Sequence, residues 1–259
     1  MNALFSVAGK TAIVTGGSRG IGYMIAEGLL SGGAKVYITA RKAEACDQAA
    51  QELSEFGECV SIPADLSTAE GLHSFTDAFA TSEDKLHILC NNAGANWVAP
   101  LGEMPESGFD KVIDINLKSP FFLTQSLLPQ LKAAGTADDP ARVIMTGSIN
   151  GIAVPTWVDN FSYSASKAGI HMLARHMGHR LAKDHVTVNS IAPGPFESRM
   201  MAAALDGDGR KLVESTVPMG RIGTPEDMAG TVLFLTSRAG AYINGATIPV
   251  DGGITGFAG

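Results

Sequence analysis

The chain has 259 residues, enough for one α/β domain or two small ones, and 45% of them are hydrophobic, which supports a sizeable core. A net charge of −7 argues against a nucleic-acid footprint and against an electrostatic membrane anchor. No stretch approaches the ~18–20 consecutive apolar residues of a membrane span, and the opening "MNALFSVAGK" has no charged segment leading into a long apolar run. Cys46, Cys59 and Cys90 show neither CxxC nor metal-ligand spacing, so a soluble protein of the reducing cytoplasm is expected.

Short apolar runs alternate with longer amphipathic ones. "TAIVTG" (11–16) reads as a buried strand, and "GIGYMIAEGLLSGGA" as a helix stopped at Gly32 and Gly33. "KVYITA" (35–40) is a second strand, "EACDQAAQELSEFG" a helix, and "CVSIPAD" (59–65) a third strand. Residues 68–83 read as helix, and "LHILCNNAG" (86–94) as a strand entering a loop. The spacing predicts one long helix over 105–133, kinked at Pro120 and Pro129. "RVIMTGS" (142–148) is a fifth strand, 161–183 a helix, and "VTVNSIAPG" (186–194) a sixth strand. Residues 198–216 are polar and mixed, a helix follows Pro225, and "ATIPVDGG" (246–253) is the last strand. Strands apolar on both faces, with a helix between each pair, imply a single Rossmann-type, doubly wound parallel sheet of about seven strands with helices on both faces. Ligands bind such sheets at the carboxyl ends of the strands, where strand order reverses.

The loop "TGGSRGIG" (15–22) follows the first strand. Its glycines at 16, 20 and 22 give G-x-x-x-G-x-G rather than G-x-G-x-x-G. Either spacing lets the backbone turn tightly and bring a pyrophosphate to a helix N-terminus. Where an NAD site has an acid at the end of the second strand, this chain has Arg41, with Arg19 in the glycine loop. Two guanidiniums suit a 2′-phosphate, so NADPH/NADP+ is the expected cofactor.

"NFSYSASKAG" (160–169) sets Tyr163 four residues ahead of Lys167, among small or polar neighbours. On a helix both side chains share one face. A tyrosine titrates near pH ~10, and a neighbouring ammonium is expected to lower that value. The small neighbours leave room for a flat ring and its ribose. His171, His176 and His179 are not spaced as a metal site, and "DGDGRK" (206–211) lacks the remaining ligands of a calcium loop. Trp97 and Trp157 either line a pocket or pack, and Met172, Met177, Met200 and Met201 read as core or pocket wall.

Together these motifs resemble the short-chain dehydrogenase/reductase family, over nearly the whole chain. The matching stretches are "TGGSRGIG", "NNAG" (91–94), Asn116 in "DINLKSP", Ser148 in "TGSINGI", Tyr163 with Lys167, "APGPFES" (192–198), "PMGRIGTPEDMA" and "PVDGG". Within the family the chain is most similar to NADPH-dependent 3-oxoacyl-carrier-protein reductases, nearest the rhamnolipid branch. The resemblance implies a catalytic set of Asn116, Ser148, Tyr163 and Lys167. It implies cofactor contacts from Gly16, Ser18, Arg19, Gly20, Ile21, Arg41, Asp65, Leu66, Asn92, Ala93, Gly94, Tyr163, Lys167, Pro193, Gly194, Phe196 and Ser198. Tyr163 would give a proton to the developing alkoxide, Ser148 would hold the same oxygen, and Asn116 would hold a water linking Lys167 to solvent. The implied layout is a cofactor-binding half over about 1–150, a catalytic and substrate half over about 148–259, and a mobile lid over about 196–217. A homotetramer is implied, with a dimer as the fallback. Arg199 and Arg210, at the ends of the lid, are candidates for contact with phosphopantetheine or an acidic carrier protein.

Two departures from the family pattern stand out. Ser148 and Tyr163 are fifteen residues apart, because "AVPTWVDNF" lengthens the loop between them, and Ser198 replaces a common threonine. The substrate is therefore read as a 3-oxoacyl thioester, with another ketone or secondary alcohol (a sugar acid, polyol or cyclic ketone) as the alternative. A non-catalytic dinucleotide sensor is a third reading, disfavoured by the intact Asn–Ser–Tyr–Lys set.

Overall fold

The strands are the shortest, most apolar runs of the sequence, and burial explains why. The computed structural model describes residues 2–155 and 158–257. Strands β1 (Thr11–Thr15), β2 (Lys35–Thr39), β3 (Cys59–Ser61), β4 (Ile88–Asn91), β5 (Ala141–Thr146), β6 (Val186–Pro193) and β7 (Thr247–Val250) form one sheet in the order β3-β2-β1-β4-β5-β6-β7. All pairings are parallel, with Thr15 opposite Thr39 and Thr146 opposite Ile191. Every residue of β1, β4, β5 and β6 is buried, as a sheet covered on both faces requires, whereas β3 and β7 at the edges are only half-buried.

Alternate side chains feed two cores. Val14, Ile38, Cys90 and Ile144 point into one core, against α1 (Gly20–Ser31), α2 (Ala43–Leu53) and α9 (Pro225–Thr236). Ile13, Tyr37, Leu89 and Val143 point into the other, against α3 (Ala69–Ala80) and α7 (Phe161–Leu181). Gly28 lets α1 lie directly on α9, since a Cβ there would sit 2.6 Å from that of Ala229. The single α/β domain anticipated from the strand pattern is thus present. Its strand order reverses between β1 and β4, which opens a crevice over their carboxyl ends.

The stretch 105–133 is not one kinked helix. It divides into α4 (Glu106–Ile113), a π turn (Asp114–Lys118), α5 (Ser119–Ser126) and α6 (Leu128–Ala134). Pro120 explains the π turn, because it cannot donate the helical hydrogen bond to the Asn116 carbonyl four residues back. Ser119 N–H reaches instead to Asp114 O. Pro129 starts the shorter α6 after a break at Leu127. The segment 196–217 holds a 3-10 turn (Ala202–Ala204) and α8 (Gly209–Ser215), with a parallel bridge from Phe196 to Gly223.

Candidate active site

The glycine loop rises from β1 at the reversal point. Gly16 and Gly20 have φ of +67° and +56°, the left-handed region where a side chain is strained. Gly22 packs on the loop itself: a Cβ there would lie 2.2 Å from Gly16 O. Helix α1 then begins without a side-chain cap, with Arg19 at its N-cap and Ile21 in its first turn. Its first N–H groups and dipole favour an anion. Asn92 and Ala93 staple the fourth strand to this loop. Their N–H groups donate to Thr15 Oγ1 at 2.8 and 2.9 Å, and Asn92 Nδ2 donates to Thr15 O at 2.9 Å. The Asn92 side chain is therefore committed to holding the loop.

Arg19 and Arg41 are both exposed, and neither forms an ion pair with any described residue. Half-buried Asp65 accepts from Ser67 N and Oγ at 3.1 and 2.6 Å, beside buried Leu66. An uncapped helix end, a glycine cradle with no room for a Cβ, and two free guanidiniums fit a phosphorylated dinucleotide. Ser18, Gly20 and half-buried Ser198 lie along that cradle, where a Cβ on Gly20 would meet Ser198 Cβ at 3.3 Å.

Helix α7 carries Tyr163 and Lys167 to the end of β5. Lys167 is buried, and its Nζ donates to Thr146 O at 2.7 Å while lying 5.5 Å from the Tyr163 ring centre. Burial brings the ammonium down to about 8. Buried Ser148 follows β5, and its Oγ accepts from Asn150 N at 3.2 Å, capping the turn Ile149–Gly151.

The Tyr163 phenol does not behave as the spacing alone suggested. Burial pushes it above its usual range, and the Ser148 hydroxyl pulls it partly back. Desolvation outweighs the lowering that the Lys167 spacing suggested, and the Lys167 ammonium is itself buried and donates to Thr146 O. Buried Asn116 lies in the π turn. Its Oδ1 accepts from Ala95 N at 2.8 Å, and its Nδ2 donates to Ala95 O at 2.9 Å and to Ser166 Oγ at 3.0 Å. Gly94 is open toward this cluster, since a Cβ there would meet Asn116 Oδ1 at 3.1 Å and Lys167 Nζ at 3.7 Å.

Other anticipated residues stand apart. Pro193 ends β6, and Gly194 N–H donates to Val250 O at 3.0 Å. Phe196 turns its ring into the core against Gly223, with which it also forms a parallel bridge. Arg210 is paired with Glu197 and lies 3.6 Å from Glu214, so it is not free for a carrier, whereas Arg199 is exposed. Half-buried Trp97 packs on Gly108 under Lys111, whose Nζ is 5.4 Å from the ring. Trp157 lies outside the described residues. His176 and His179 are exposed, and no group of three metal-ligating side chains occurs among the described residues.

His171, weighed from the sequence only as a metal ligand and set aside, has a different place in the structure. His171, one turn beyond Lys167, bonds Ser190 Oγ at 2.7 Å and Ser148 O at 3.1 Å. Only its place on the Tyr163–Lys167 face, eight and four residues on, could have flagged it.

A doubly wound sheet with this glycine loop and a Ser–Tyr–Lys cluster on the β5 and α7 elements defines a dinucleotide-type oxidoreductase. Residues 16–255 match the family model described as Enoyl-(Acyl carrier protein) reductase. A Pseudomonas aeruginosa rhamnolipids biosynthesis 3-oxoacyl-[acyl-carrier-protein] reductase is 46% identical over 98% of this chain and 99% of its own. A solved Pseudomonas aeruginosa RhlG/NADP active-site complex superposes with a TM-score of 0.95 at 46% identity, covering 98% of this chain and all of that one. A 2-dehydro-3-deoxy-D-gluconate 5-dehydrogenase of Pseudoalteromonas atlantica is 35% identical over 97% of this chain and 98% of its own. The chain belongs to the short-chain dehydrogenase/reductase family.

Proposed function

We propose that the protein reduces the ketone of a 3-oxoacyl thioester, carried by acyl carrier protein or coenzyme A, to the 3-hydroxyacyl thioester. The convergence of Ser148, Tyr163 and Lys167 at the carboxyl end of β5 carries this reading, and full-length similarity to a 3-oxoacyl-carrier-protein reductase supports it. NADPH, when bound, supplies the hydride. The chain's own residues do the rest. Arg19 and Arg41 take the 2′-phosphate, and the N-terminus of α1 with Gly16, Ser18, Gly20 and Ile21 takes the pyrophosphate. Asp65, Leu66 and the Asn92–Gly94 segment line the adenosine and ribose, while Pro193, Gly194, the Phe196 backbone and Ser198 flank the nicotinamide end.

The Tyr163 phenol is protonated at neutral pH, the form a general acid needs, and burial raises its value further still. Its proton passes to the oxygen that becomes the alkoxide, while Ser148 Oγ donates a hydrogen bond to the same oxygen. Lys167, at about 8, can give up a proton near physiological pH and so recharge the phenol. Asn116 anchors the segment from which a water would link Lys167 to solvent. The segment 196–217 closes over the acyl chain, with Arg199 offered to an acidic carrier. The cofactor half spans about 1–150 and the substrate half about 148–259. No helix among the described residues is long and apolar enough to cross a membrane. A cytoplasmic homotetramer, or a dimer, completes the reading.

The test follows reduced-nicotinamide absorbance with acetoacetyl thioester, sugar-acid, cyclic-ketone and diacetyl substrates, using NADPH and NADH. The thioester with NADPH should be turned over best. Tyr163→Phe should lose at least ~100-fold in turnover, and Arg41→Asp should raise the NADPH KM ~10- to 100-fold while relieving NADH use. Turnover of sugar-acid or cyclic ketones in place of the thioester would give the function to the alternative instead.

A further inference from the structure

We infer that His171 is a positioning residue for the reaction: it fixes the main chain of Ser148, and through it the hydroxyl that meets the substrate oxygen. The inference rests on the reading of Ser148 and Tyr163 as the reacting pair. His171 is buried, and its two ring nitrogens have separate partners. A carbonyl can only accept, so the 3.1 Å contact to Ser148 O puts the ring proton on Nε2. Nδ1 is then the acceptor, and Ser190 Oγ donates to it at 2.7 Å. Burial, with Lys167 and Arg175 nearby, lowers the affinity of the ring for a second proton, so the neutral tautomer persists.

The ring therefore joins three elements. It stands on α7 one turn past Lys167, takes a hydrogen from buried β6, and donates to the residue that leaves β5. The main chain around it is shaped to admit it. Gly147 has no side chain where the imidazole lies: a Cβ there would sit 2.1 Å from His171 Cε1. Gly147 N–H donates to Ile191 O at 2.8 Å, and Ser148 O also accepts from Gly151 N–H at 3.0 Å. The Gly151 bond belongs to the local turn, so the turn could move as a unit with it intact. The His171 bond ties that turn to the helix bearing Tyr163. With Lys167 on Thr146 O, two side chains one helical turn apart clamp carbonyls on either side of Gly147. Catalytic groups need to be held within about 0.5 Å of their working positions, and His171 supplies the side-chain bond that fixes the Ser148 carbonyl to α7, beyond the Gly147 bond to β6.

The test compares His171→Leu, which fills the space and donates nothing, with His171→Gln, whose amide can still donate to Ser148 O. Crystal structures of both variants measure the separation of Ser148 Oγ from Tyr163 Oη without reference to activity. Steady-state kinetics with the best NADPH-dependent substrate then separate kcat from KM. His171→Leu should displace the Ser148 hydroxyl by more than about 0.5 Å and lower kcat ~10- to 100-fold, with KM for both substrates within about threefold. His171→Gln should restore the position and bring kcat back to within about threefold of wild type. An undisplaced Ser148 in His171→Leu, a kcat within about threefold of wild type, or equal damage in both variants would overturn the inference. Should His171→Leu fail to fold, Ser190→Ala removes only the Nδ1 partner. It should cost about three- to tenfold in kcat with KM unchanged, and no effect there rejects the assignment. A wild type that reduces nothing in the panel defeats the functional reading, while the Ser148 displacement still decides the role of His171.

Discussion

Lys167 is where function and stability pull against each other most directly. It titrates normally near 10.5 and is brought to about 8 by burial. Between those two values the unfolded chain binds more protons than the folded one, so stability at this site rises with pH through that window. The charged form at pH 7 therefore costs about 3 kcal/mol, falling below ~1 kcal/mol by pH 10. Replacing Lys167 with Met removes the penalty but leaves Thr146 O without its donor, a loss of roughly 1 kcal/mol. We expect Lys167→Met to gain about 1–2 kcal/mol at pH 7, to lose that advantage by pH 10, and to lose nearly all turnover. Urea midpoints at both pH values check this, and a variant less stable than wild type at pH 7 contradicts it. Tyr163, half-buried by exposure, is desolvated with the opposite consequence. Burial favours the neutral phenol, which is the form the reduction uses.

At the scale of elements, the π turn decides how Asn116 reaches the site. Pro120 removes the donor that would have kept the helix regular, and the widened turn holds Asn116 against Ala95 and Ser166. Pro120→Ala restores an N–H and invites a continuous α-helix. It should leave the melting temperature unchanged or raise it by a few degrees, while kcat falls as Asn116 rotates away. Undiminished kcat in Pro120→Ala would show that the turn has no part in catalysis. This element was only half legible in the sequence: the prolines marked the breaks, but a proline pattern does not separate a kink from a π turn. The strands were legible, because fully buried parallel strands must be continuous apolar runs, and the Tyr163–Lys167 face followed from helical spacing; the order of the strands in the sheet came only from the structure. What stayed hidden depends on contacts distant in sequence. Desolvation of Tyr163 and Lys167 comes from the packed sheet end, His171 finds Ser148 on one strand's exit and Ser190 on another, and Arg210 is taken up by Glu197 across the lid loop.

At the scale of the whole molecule, any self-association of a chain with a net charge of −7 works against its own repulsion. The surfaces of α4, α5 and the long α7 offer a means. Phe109 on α4, Phe121 and Phe122 on α5, and Phe161 and Met172 on α7 are exposed large hydrophobics, with small Ala165 and Ala168 exposed between the last two. On α7 these residues lie away from buried Lys167, so one helix presents its Lys167 face inward and an apolar, low-relief face outward. Such a face suits an isologous contact between two copies, in which the small residues allow close approach of the helices. Burial of apolar area is not screened by salt, whereas the opposing charge repulsion is. The assembly should therefore hold or tighten as ionic strength rises. We expect light scattering at micromolar concentration to report a tetramer, or a dimer, and Ala168→Arg to shift it to a smaller species by placing a charge at the centre of that contact. Because α7 also carries Tyr163 and Lys167, the smaller species should show reduced kcat per subunit with little change in NADPH affinity. A wild-type monomer, or an Ala168→Arg variant of unchanged mass, would remove this face from the assembly.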